Sequence, residues 1–158
     1  MGVDLTQISI LARREIEARI LIPVIHEFVS EFGKERTLKI VGPIIQSLAR
    51  ESGTQVAKLL GGDTLDLFAK GLSLWTREDA LQIEVLEQTP RRYSFNVTRC
   101  RYAEMYRELG MQEYGVLLSC GRDGAMIQGF NPRIEFRRTQ TIMEGAPFCD
   151  FRYELLEK

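Results

Sequence analysis

Two pairs of a cysteine and a nearby carboxylate are the most chemically distinctive residues of this sequence. Cys100 lies four residues before Glu104 at the start of a predicted helix, and Cys120 lies three residues before Asp123 on the next one. Because residues three or four apart share one face of a helix, each thiol is expected beside a carboxylate. The helix N-terminus and the flanking arginines, including Arg101, are expected to lower the pKa of Cys100 and so to favour a nucleophilic thiolate.

These residues also have structural interpretations, and spacing alone does not decide between the two. A free cysteine is often a small core residue. Asp123, which is unfavourable in mid-helix without a partner, is a metal ligand, a general base, or the ion-pair partner of Arg101 or Arg122. Cys149 alternates with Asp150 on a predicted final strand. It is either a packing residue or a nucleophile at the floor of a pocket.

Familiar catalytic and metal-binding motifs are missing from the sequence. His26 is the only histidine, and no second histidine follows the adjacent Glu27 at the HExxH spacing. The cysteine spacings match no local zinc motif. GxGxxG, P-loop and GxSxG patterns are also absent, which excludes the common nucleotide-binding and serine-hydrolase routes. The sequence therefore requires no cofactor and leaves a divalent metal as an open alternative.

Composition bounds the class of protein and its partners. The 158 residues carry a net charge of −1 and 44% hydrophobic residues, which is ordinary for one globular domain. That charge provides no field for nucleic acid or an anionic membrane, and the pair Arg13-Arg14 is interpreted as solvated surface. Three cysteines without CxxC spacing or a secretory leader are expected to be free thiols in the cytoplasm. No apolar run is long enough to span a bilayer.

Apolar residues recur every three to five positions across most of the first half, which predicts helices. The pattern covers residues 5–32 and 35–61. Pro23 is expected to kink the first helix or to start a new one, Gly42-Pro43 is expected to kink the second, and Gly53 is expected to split off its final segment. A short helix capped by Asp63 is expected to continue through Trp75. The strongly apolar faces of the two long helices suit a homodimer interface as well as they suit core packing.

The apolar period changes to two near residue 81, which predicts strands. The predicted elements of this half are a hairpin over 81–98, helices over 101–109 and 112–128 ended by Gly110 and Gly129, and a second hairpin over 133–142 and 148–155. Helices and hairpins without βαβ alternation indicate an α+β fold, in which N-terminal and central helices cover an antiparallel four-stranded sheet. We expect one domain over 1–158, with a helical scaffold over 1–76 and the site within 77–158.

Four segments of the second half resemble a known family. They are Cys100-Arg-Tyr-Ala-Glu-Met-Tyr-Arg-Glu-Leu-Gly, Leu118-Ser-Cys-Gly-Arg-Asp, Gly129-Phe-Asn-Pro and Arg138-Thr-Gln-Thr-Ile-Met-Glu-Gly-Ala-Pro-Phe-Cys-Asp-Phe-Arg. Together they resemble the L-2-amino-thiazoline-4-carboxylic acid hydrolase family, most strongly over about 93–153. The resemblance implies hydrolysis of a cyclic amidine. Water adds to the carbon between the ring sulfur and the ring nitrogen, and the ring opens to a carbamoyl-cysteine.

The residues of these segments supply matching chemistry. The expected nucleophile is a water activated by Asp123 or Glu104, or else a thiolate. The catalytic candidates are Cys149, Asp123, Cys120, Cys100 and Glu104. A cation is expected to bind the substrate carboxylate. The candidates for substrate binding are Arg138, Arg101, Arg152 and Asn131. We expect Cys149→Ser or Asp123→Asn to abolish turnover while the fold survives.

A second resemblance provides a non-catalytic alternative. The segment Gly145-Ala-Pro-Phe-Cys-Asp-Phe is similar to the end of small-molecule-binding domains of the vinyl-reductase and vesicle-tethering type, which carry a cysteine on a late strand. Such a domain would bind or sense its ligand in an apolar cavity without turnover. Under either hypothesis the expected partner is a small molecule, with no nucleic acid or membrane and with a homo-oligomer through the N-terminal helices as a further expectation.

Overall fold

Two long helices form most of the first half of the chain. The computed structural model describes residues 7–157, in which α1 spans Ile10–Phe32 and α2 spans Lys34–Leu60. Gly33 ends α1 with a φ of 82°, and Gly61 ends α2 with a φ of 74°. Glycine has no Cβ to clash in these backbone conformations, so it ends both helices at low cost. Gly33 therefore caps α1 as predicted.

Both long helices continue through their prolines. α1 contains Pro23 and α2 contains Pro43, so no new helix begins at Pro23, and Gly53 does not divide α2. Ile22 and Ile25 are buried on either side of the first proline. Packing of such residues holds the helix together despite the lost backbone hydrogen bond. The first two residues of the predicted helix lie outside the described part of the chain.

Two short helices follow α2 and complete the helical half. α3 spans Leu65–Gly71 and α4 spans Ser73–Thr76. Thr64 and not Asp63 caps α3, because the Thr64 hydroxyl accepts a backbone N–H of the first turn at 3.3 Å. The Asp63 carbonyl instead accepts the side-chain amide of Asn131 at 2.9 Å.

Four strands form one sheet. Their bounds are β1 Leu81–Gln88, β2 Arg92–Cys100, β3 Ile134–Arg137 and β4 Cys149–Leu155. All neighbours pair antiparallel, in the order β1-β2-β4-β3. The two hairpins meet through β2 and β4, where the rings of Phe95 and Phe151 stack with centroids 5.0 Å apart. The α+β class, with a four-stranded antiparallel sheet made of two hairpins, is confirmed.

The third strand is shorter than predicted and ends at Arg137. The carboxylate of Asp150 on β4 accepts the backbone N–H groups of Thr139 and Gln140, both at 2.9 Å. Because a side chain replaces the backbone partner there, the chain leaves the sheet. The predicted strand over 133–142 is therefore wrong beyond Arg137, and Arg138 lies outside the sheet.

The central region is more divided than predicted. It contains α5 Arg101–Glu108, α6 Gln112–Gly115, a π-helical segment Val116–Cys120 and α7 Arg122–Phe130. The single helix predicted over 112–128 is therefore wrong, because the π-helical segment and a turn at Gly121 interrupt it. Gly129 lies inside α7 and does not end it. Gly110, with a φ of 68°, follows α5 as predicted.

Two clusters of buried side chains hold the layers together. Between the sheet and α2, α3 and α7 lie Phe68, Phe95, Ile127, Phe130 and Tyr153. Between α1 and the central helices lie Ile22, Tyr106, Leu118 and Met143. Within the described residues, no helix is both long enough and apolar enough to cross a membrane.

The helices α2 and α7 touch backbone to backbone. Gly53 of α2 and Gly129 of α7 lie at the crossing. A Cβ on Gly53 would lie 2.7 Å from the backbone nitrogen of Phe130, and a Cβ on Gly129 would collide with the backbone of Arg50. Glycine permits this close approach because it has no side chain. The contact therefore sets the distance between the two helices.

We expect Gly129→Ala to lower the free energy of unfolding by about 3 kcal/mol, because the added methyl group must push α2 and α7 apart. Gly124→Ala in the same helix is the matched control, since the nearest atom to its Cβ would be a Phe136 ring carbon at 3.5 Å. That variant should keep the stability or raise it by up to about 1 kcal/mol, because alanine favours helix. Urea denaturation followed by circular dichroism measures both, and equal stabilities would contradict the role of the crossing.

Candidate functional site

A cavity of about 380 Å³ lies between the helices and the sheet. Residues of α1, α2, α4, α7 and three strands form its wall. The volume falls in the range of pockets that enclose small organic molecules, roughly 300–1,000 Å³. Both halves of the chain contribute to it, whereas the sequence pattern had placed the site within 77–158.

All three cysteines line this cavity. Cys100 occupies the N-cap position of α5, Cys120 ends the π-helical segment, and Cys149 begins β4. The sulfur of Cys149 accepts the backbone N–H of Ile142 at 3.2 Å. π-helical turns are frequent at functional sites, and here one carries Cys120 into the wall. The fold thus brings together three thiols that are far apart in sequence.

Burial keeps these thiols in the protonated form. It raises the pKa of Cys100 to about 11, although the backbone N–H groups of Ala103 and Tyr102 oppose the rise. Burial also raises the pKa of Cys120 and the pKa of Cys149. The expected lowering of the pKa of Cys100 is therefore wrong, because the loss of water outweighs the helix N-terminus.

Asp123 and Arg138 form an ion pair in the wall of the cavity. The Nη1 of Arg138 donates to Oδ2 of Asp123 at 2.5 Å, and its Nη2 donates to a carbonyl of the π-helical segment at 3.0 Å. The guanidinium also lies over the Phe151 ring, 5.1 Å from its centroid. Burial raises the pKa of Asp123, and the charge of Arg138 opposes that rise. The sequence-based partners Arg101 and Arg122 are wrong.

Spacing did not single out four other arginines that line the cavity, namely Arg13, Arg14, Arg77 and Arg122. Arg14 and Arg122 both form ion pairs with the carboxylate of Glu17. The distance from Nη1 of Arg122 to Oε2 of Glu17 is 3.3 Å. The buried Nε of Arg13 has no hydrogen-bond partner among the described residues. Burial and the charge of Arg14 lower the pKa of Arg122. The side chains of Arg13, Arg14, Arg122 and Arg138 form what we call the arginine cluster.

The arginine cluster carries more charge than its partners neutralise. Its four guanidinium groups face two carboxylates, those of Glu17 and Asp123. Among the described residues, two of the four positive charges of the cluster therefore have no carboxylate partner. Cations in such a partly buried site favour an anionic ligand, because a ligand carboxylate compensates for the lost water.

The sequence contained a signal for Arg14. The buried residues of α1 form a stripe at Leu11, Ala18, Ile22 and Ile25. Arg14 falls on the same stripe by its spacing. A charged residue on a buried stripe needs a partner or a ligand. The interpretation of the pair Arg13-Arg14 as solvated surface is wrong, since the Arg14 side chain is only 14% exposed.

Much of the remaining wall is apolar. Val56 and Leu59 contribute from α2, and Leu74 and Trp75 contribute from α4. Leu59 is 61% exposed, so it lies where the cavity meets solvent. The Tyr102 hydroxyl donates to the Trp75 carbonyl at 3.3 Å and so helps to hold α4 in place. Within the described residues, no charged side chain of α2 or α4 lines the cavity, but Ser52 and Gln55 of α2 and Arg77, directly after α4, also line it.

Glu104 and Arg101 lie outside the cavity. Glu104 accepts two hydrogen bonds from Arg99, at 2.8 and 3.1 Å. Arg101 donates to the backbone carbonyl of Glu78. Both side chains are therefore engaged in contacts away from the thiol of Cys100, and neither lines the cavity wall.

Arg152 and Asn131 also lie outside the cavity. The Nη1 of Arg152 donates to the carbonyl of Phe95 at 2.8 Å, which ties β4 to β2. Asn131 is 2% exposed. Its amide group donates to the Asp63 carbonyl, and its side-chain oxygen accepts the backbone N–H of Arg133, both at 2.9 Å. These contacts stabilise the loops around α3 and α7 and leave no group for a substrate.

The described residues contain no group of three or more histidine, cysteine, aspartate or glutamate side chains placed to hold a metal ion. His26 is exposed on α1 and packs edge-on against Tyr114, with ring centroids 5.1 Å apart. It does not line the cavity.

Comparison with protein families gives a match over most of the chain. The family described as L-2-amino-thiazoline-4-carboxylic acid hydrolase matches residues 13–153. The matched range begins at Arg13 and includes all three cysteines and Asp123. A search of curated proteins found no significant match.

Two solved structures share the fold. The phenol-responsive sensory domain of the transcription activator PoxR, solved with phenol, has 17% identity and a TM-score of 0.54, covering 100% of this chain and 77% of that chain. A trafficking protein particle complex subunit 3 from Naegleria fowleri, covalently bound to palmitic acid, has 10% identity and a TM-score of 0.54, covering 92% of this chain and 96% of that chain. At such low identity, the likeness shows the fold alone.

We expect the native thiols to react with iodoacetamide far more slowly at neutral pH than the same thiols in urea. Protonated thiols are poor nucleophiles, and burial limits access of the reagent. The labelling rate of Cys100 should rise with pH toward a midpoint near 11. Peptide mass spectrometry measures each site, with circular dichroism confirming the fold at every pH. A midpoint near neutral pH for any of the three would reveal a stabilised thiolate.

Proposed function

The chain belongs to the L-2-amino-thiazoline-4-carboxylic acid hydrolase family, and from that membership we propose that its cavity hydrolyses a small cyclic amidine bearing a carboxylate. The oxygen of water adds to the carbon between the ring sulfur and the ring nitrogen. One ring bond of that carbon breaks, the released atom takes a proton, and a carbamoyl-cysteine forms. The reaction needs a site for the carboxylate, a partner for the amidinium and a base for the water.

The excess positive charge of the arginine cluster is the observation that carries this proposal. Within the described part of the chain, Arg13, Arg14 and Arg122 have one carboxylate between them, that of Glu17. The unpartnered Nε of Arg13 is a donor that a ligand oxygen can satisfy. Guanidinium groups bind carboxylates through two parallel hydrogen bonds, so this part of the cavity suits the substrate carboxylate.

Asp123 is the proposed partner of the amidinium and the base for the water. Arg138 binds its Oδ2, which leaves Oδ1 as an acceptor among the described residues. Burial raises the pKa of Asp123 and so moves it toward the range in which a carboxylate accepts a proton efficiently. Arg138 also fixes the orientation of the Asp123 carboxylate, which favours proton transfer from a water molecule in one geometry.

Water and not a thiolate is the proposed nucleophile. Burial raises the pKa values of Cys100, Cys120 and Cys149, so little thiolate is present at neutral pH. The thiols then serve as small, weakly polar groups that line the space for the ring. This assignment separates the roles of the cysteines from that of Asp123, which the sequence alone could not do.

A second function, ligand binding without turnover, is favoured by the apolar part of the wall. Val56, Leu74 and Trp75 provide contact area but no group for chemistry. The two solved structures with this fold are described with phenol and with palmitic acid, both largely apolar compounds. In this alternative the Asp123–Arg138 pair is a structural ion pair, and the cavity belongs to a sensing or carrier domain.

We expect the purified protein to convert L-2-amino-thiazoline-4-carboxylate into a product heavier by one water, detected by mass spectrometry. Asp123→Asn should lower kcat by about 10²- to 10⁴-fold, because it removes the base and preserves the shape. Arg122→Gln should mainly raise KM, because it removes a contact to the substrate carboxylate. Cys149→Ser should keep most of the activity.

Glu104→Gln is the matched control for Asp123→Asn, since it neutralises a carboxylate outside the cavity. Its activity should equal that of the unmodified protein. Thermal denaturation of each variant separates loss of chemistry from loss of fold. Full activity in a folded Asp123→Asn variant would remove that residue from the mechanism. No turnover by the unmodified protein, with or without added divalent metal, would favour the binding function.

A further inference from the structure

The cavity is larger and more apolar than one small polar ring requires. Its volume is about 380 Å³, and much of its wall on α2 and α4 consists of hydrocarbon side chains. A single thiazoline ring is much smaller than this volume, so it would leave part of the apolar wall without a contact. From this mismatch we infer that the preferred ligand is an organic acid with an extended apolar group. The inference deepens the proposed function and rests on it for the acid-binding end alone.

The exposure of the wall gives the direction of such a ligand. Side chains of the arginine cluster are deeply placed, with Arg14, Arg122 and Arg138 exposed by 14%, 12% and 13%. Leu59 of α2 lines the same cavity and is 61% exposed. The acid group therefore binds in the interior, and the apolar group extends along α2 and α4 toward solvent.

The hydrophobic effect makes this inference quantitative. Each methylene group moved from water into an apolar site tightens binding by about threefold to fourfold. Affinity for straight-chain carboxylates should therefore rise steadily with length and then level off when the apolar part of the cavity is filled. An alcohol of the same length lacks the charge that the arginine cluster binds, so it should bind at least about tenfold more weakly.

The only tryptophan of the chain provides the measurement. Trp75 lines the apolar wall, so its fluorescence should change when a ligand contacts it. We would titrate the protein with carboxylates from acetate to decanoate and with the matching alcohols. Arg122→Gln should weaken binding of the carboxylates and leave the alcohols unchanged, which assigns the acid end to the arginine cluster.

Two valine variants test the apolar end. Val56→Phe extends a side chain of the cavity wall, so the affinity should level off at a shorter ligand. Val85→Phe makes the same change on β1 at a residue that is 48% exposed and outside the cavity, so its titrations should match those of the unmodified protein. Affinity that does not depend on chain length, or equal effects of the two variants, would overturn the inference.

The hydrolysis assay on the same samples separates this inference from the proposed function. If the protein hydrolyses the thiazoline but its affinity for carboxylates does not change with chain length, the proposed hydrolase function stands and the extended apolar ligand is contradicted. If the affinity rises with chain length and no hydrolysis is detected, the apolar ligand is supported and the cavity is assigned to binding. Alcohols that bind as tightly as carboxylates would overturn the acid-bearing part of the inference.

A separate observation concerns the outer surface of the long helices, through which we propose that two copies of this chain associate. Large apolar side chains that are 45–63% exposed recur at Ile16, Ile20, Val24 and Phe28 of α1 and at Ile40 and Ile44 of α2. These six present on the order of 600 Å² of apolar surface, close to the roughly 600–800 Å² that each partner contributes to a stable interface. Exposed patches of this size mark interaction sites.

The charges beside these residues favour a second copy over a membrane surface. They have both signs, as in the exposed pairs Glu15–Arg19 and Glu35–Lys39. A helix that lies on an anionic membrane has a polar face rich in lysine and arginine instead. A second copy presents the same apolar residues, and two-fold interfaces between identical patches are the commonest form of association.

Sedimentation velocity should show the mass of two chains for the unmodified protein. Ile20→Glu should raise the dissociation constant of the dimer at least about 30-fold, because it buries an unpaired charge. Leu86→Glu is the control, since it adds the same charge at a residue of β1 that is 51% exposed. A monomeric unmodified protein, equal effects of the two variants, or flotation of the protein with anionic vesicles would overturn the dimer.

Discussion

The contact between the glycine backbones of α2 and α7 is the constraint on which the rest of the structure depends. Gly53 and Gly129 let the two helices approach until backbone meets backbone. Each helix then carries part of the cavity wall, with Val56 on α2 and Asp123 on α7. Because a helix is stiff over its length, a wider spacing of α2 and α7 at the crossing would displace both parts of the cavity wall. The fold and the candidate site therefore depend on one packing contact.

The elements of this fold follow largely from local pattern, and the exceptions have tertiary causes. Apolar periods near four and two predict the long helices and both hairpins, and Gly33 marks a helix end correctly. Gly129 resembles a helix end because glycine is a poor helix former. The contact with α2 overrides that preference. The shortened third strand has a similar cause, since the Asp150 carboxylate binds backbone groups that lie in another predicted strand.

The candidate site was predictable where residues share a helix face and unpredictable where distant elements meet. The residues that spacing selected and that line the cavity are Cys100, Cys120, Cys149, Asp123 and Arg138. The arginines and the tryptophan that spacing missed are Arg13, Arg14, Arg77, Arg122 and Trp75. Those that spacing selected and that lie elsewhere are Glu104, Arg101, Arg152 and Asn131, and most of their partners are backbone carbonyls. Local spacing does not determine which backbone carbonyl a long side chain will reach. Residue type and spacing therefore could not distinguish the candidates that line the cavity from those that lie elsewhere.

The pairing of Asp123 has a different consequence for each of the two proposed functions of the cavity. Buried arginines lose water, and Glu17 and Asp123 offset only part of that loss. In the proposed hydrolase, a ligand carboxylate at Arg13, Arg14 and Arg122 adds a negative charge to the same cavity, which favours proton uptake by Asp123. Arg138 still holds Oδ2, so Oδ1 is the atom that would accept a proton from water. Binding without turnover needs no such proton transfer, and Asp123 then remains the structural partner of Arg138.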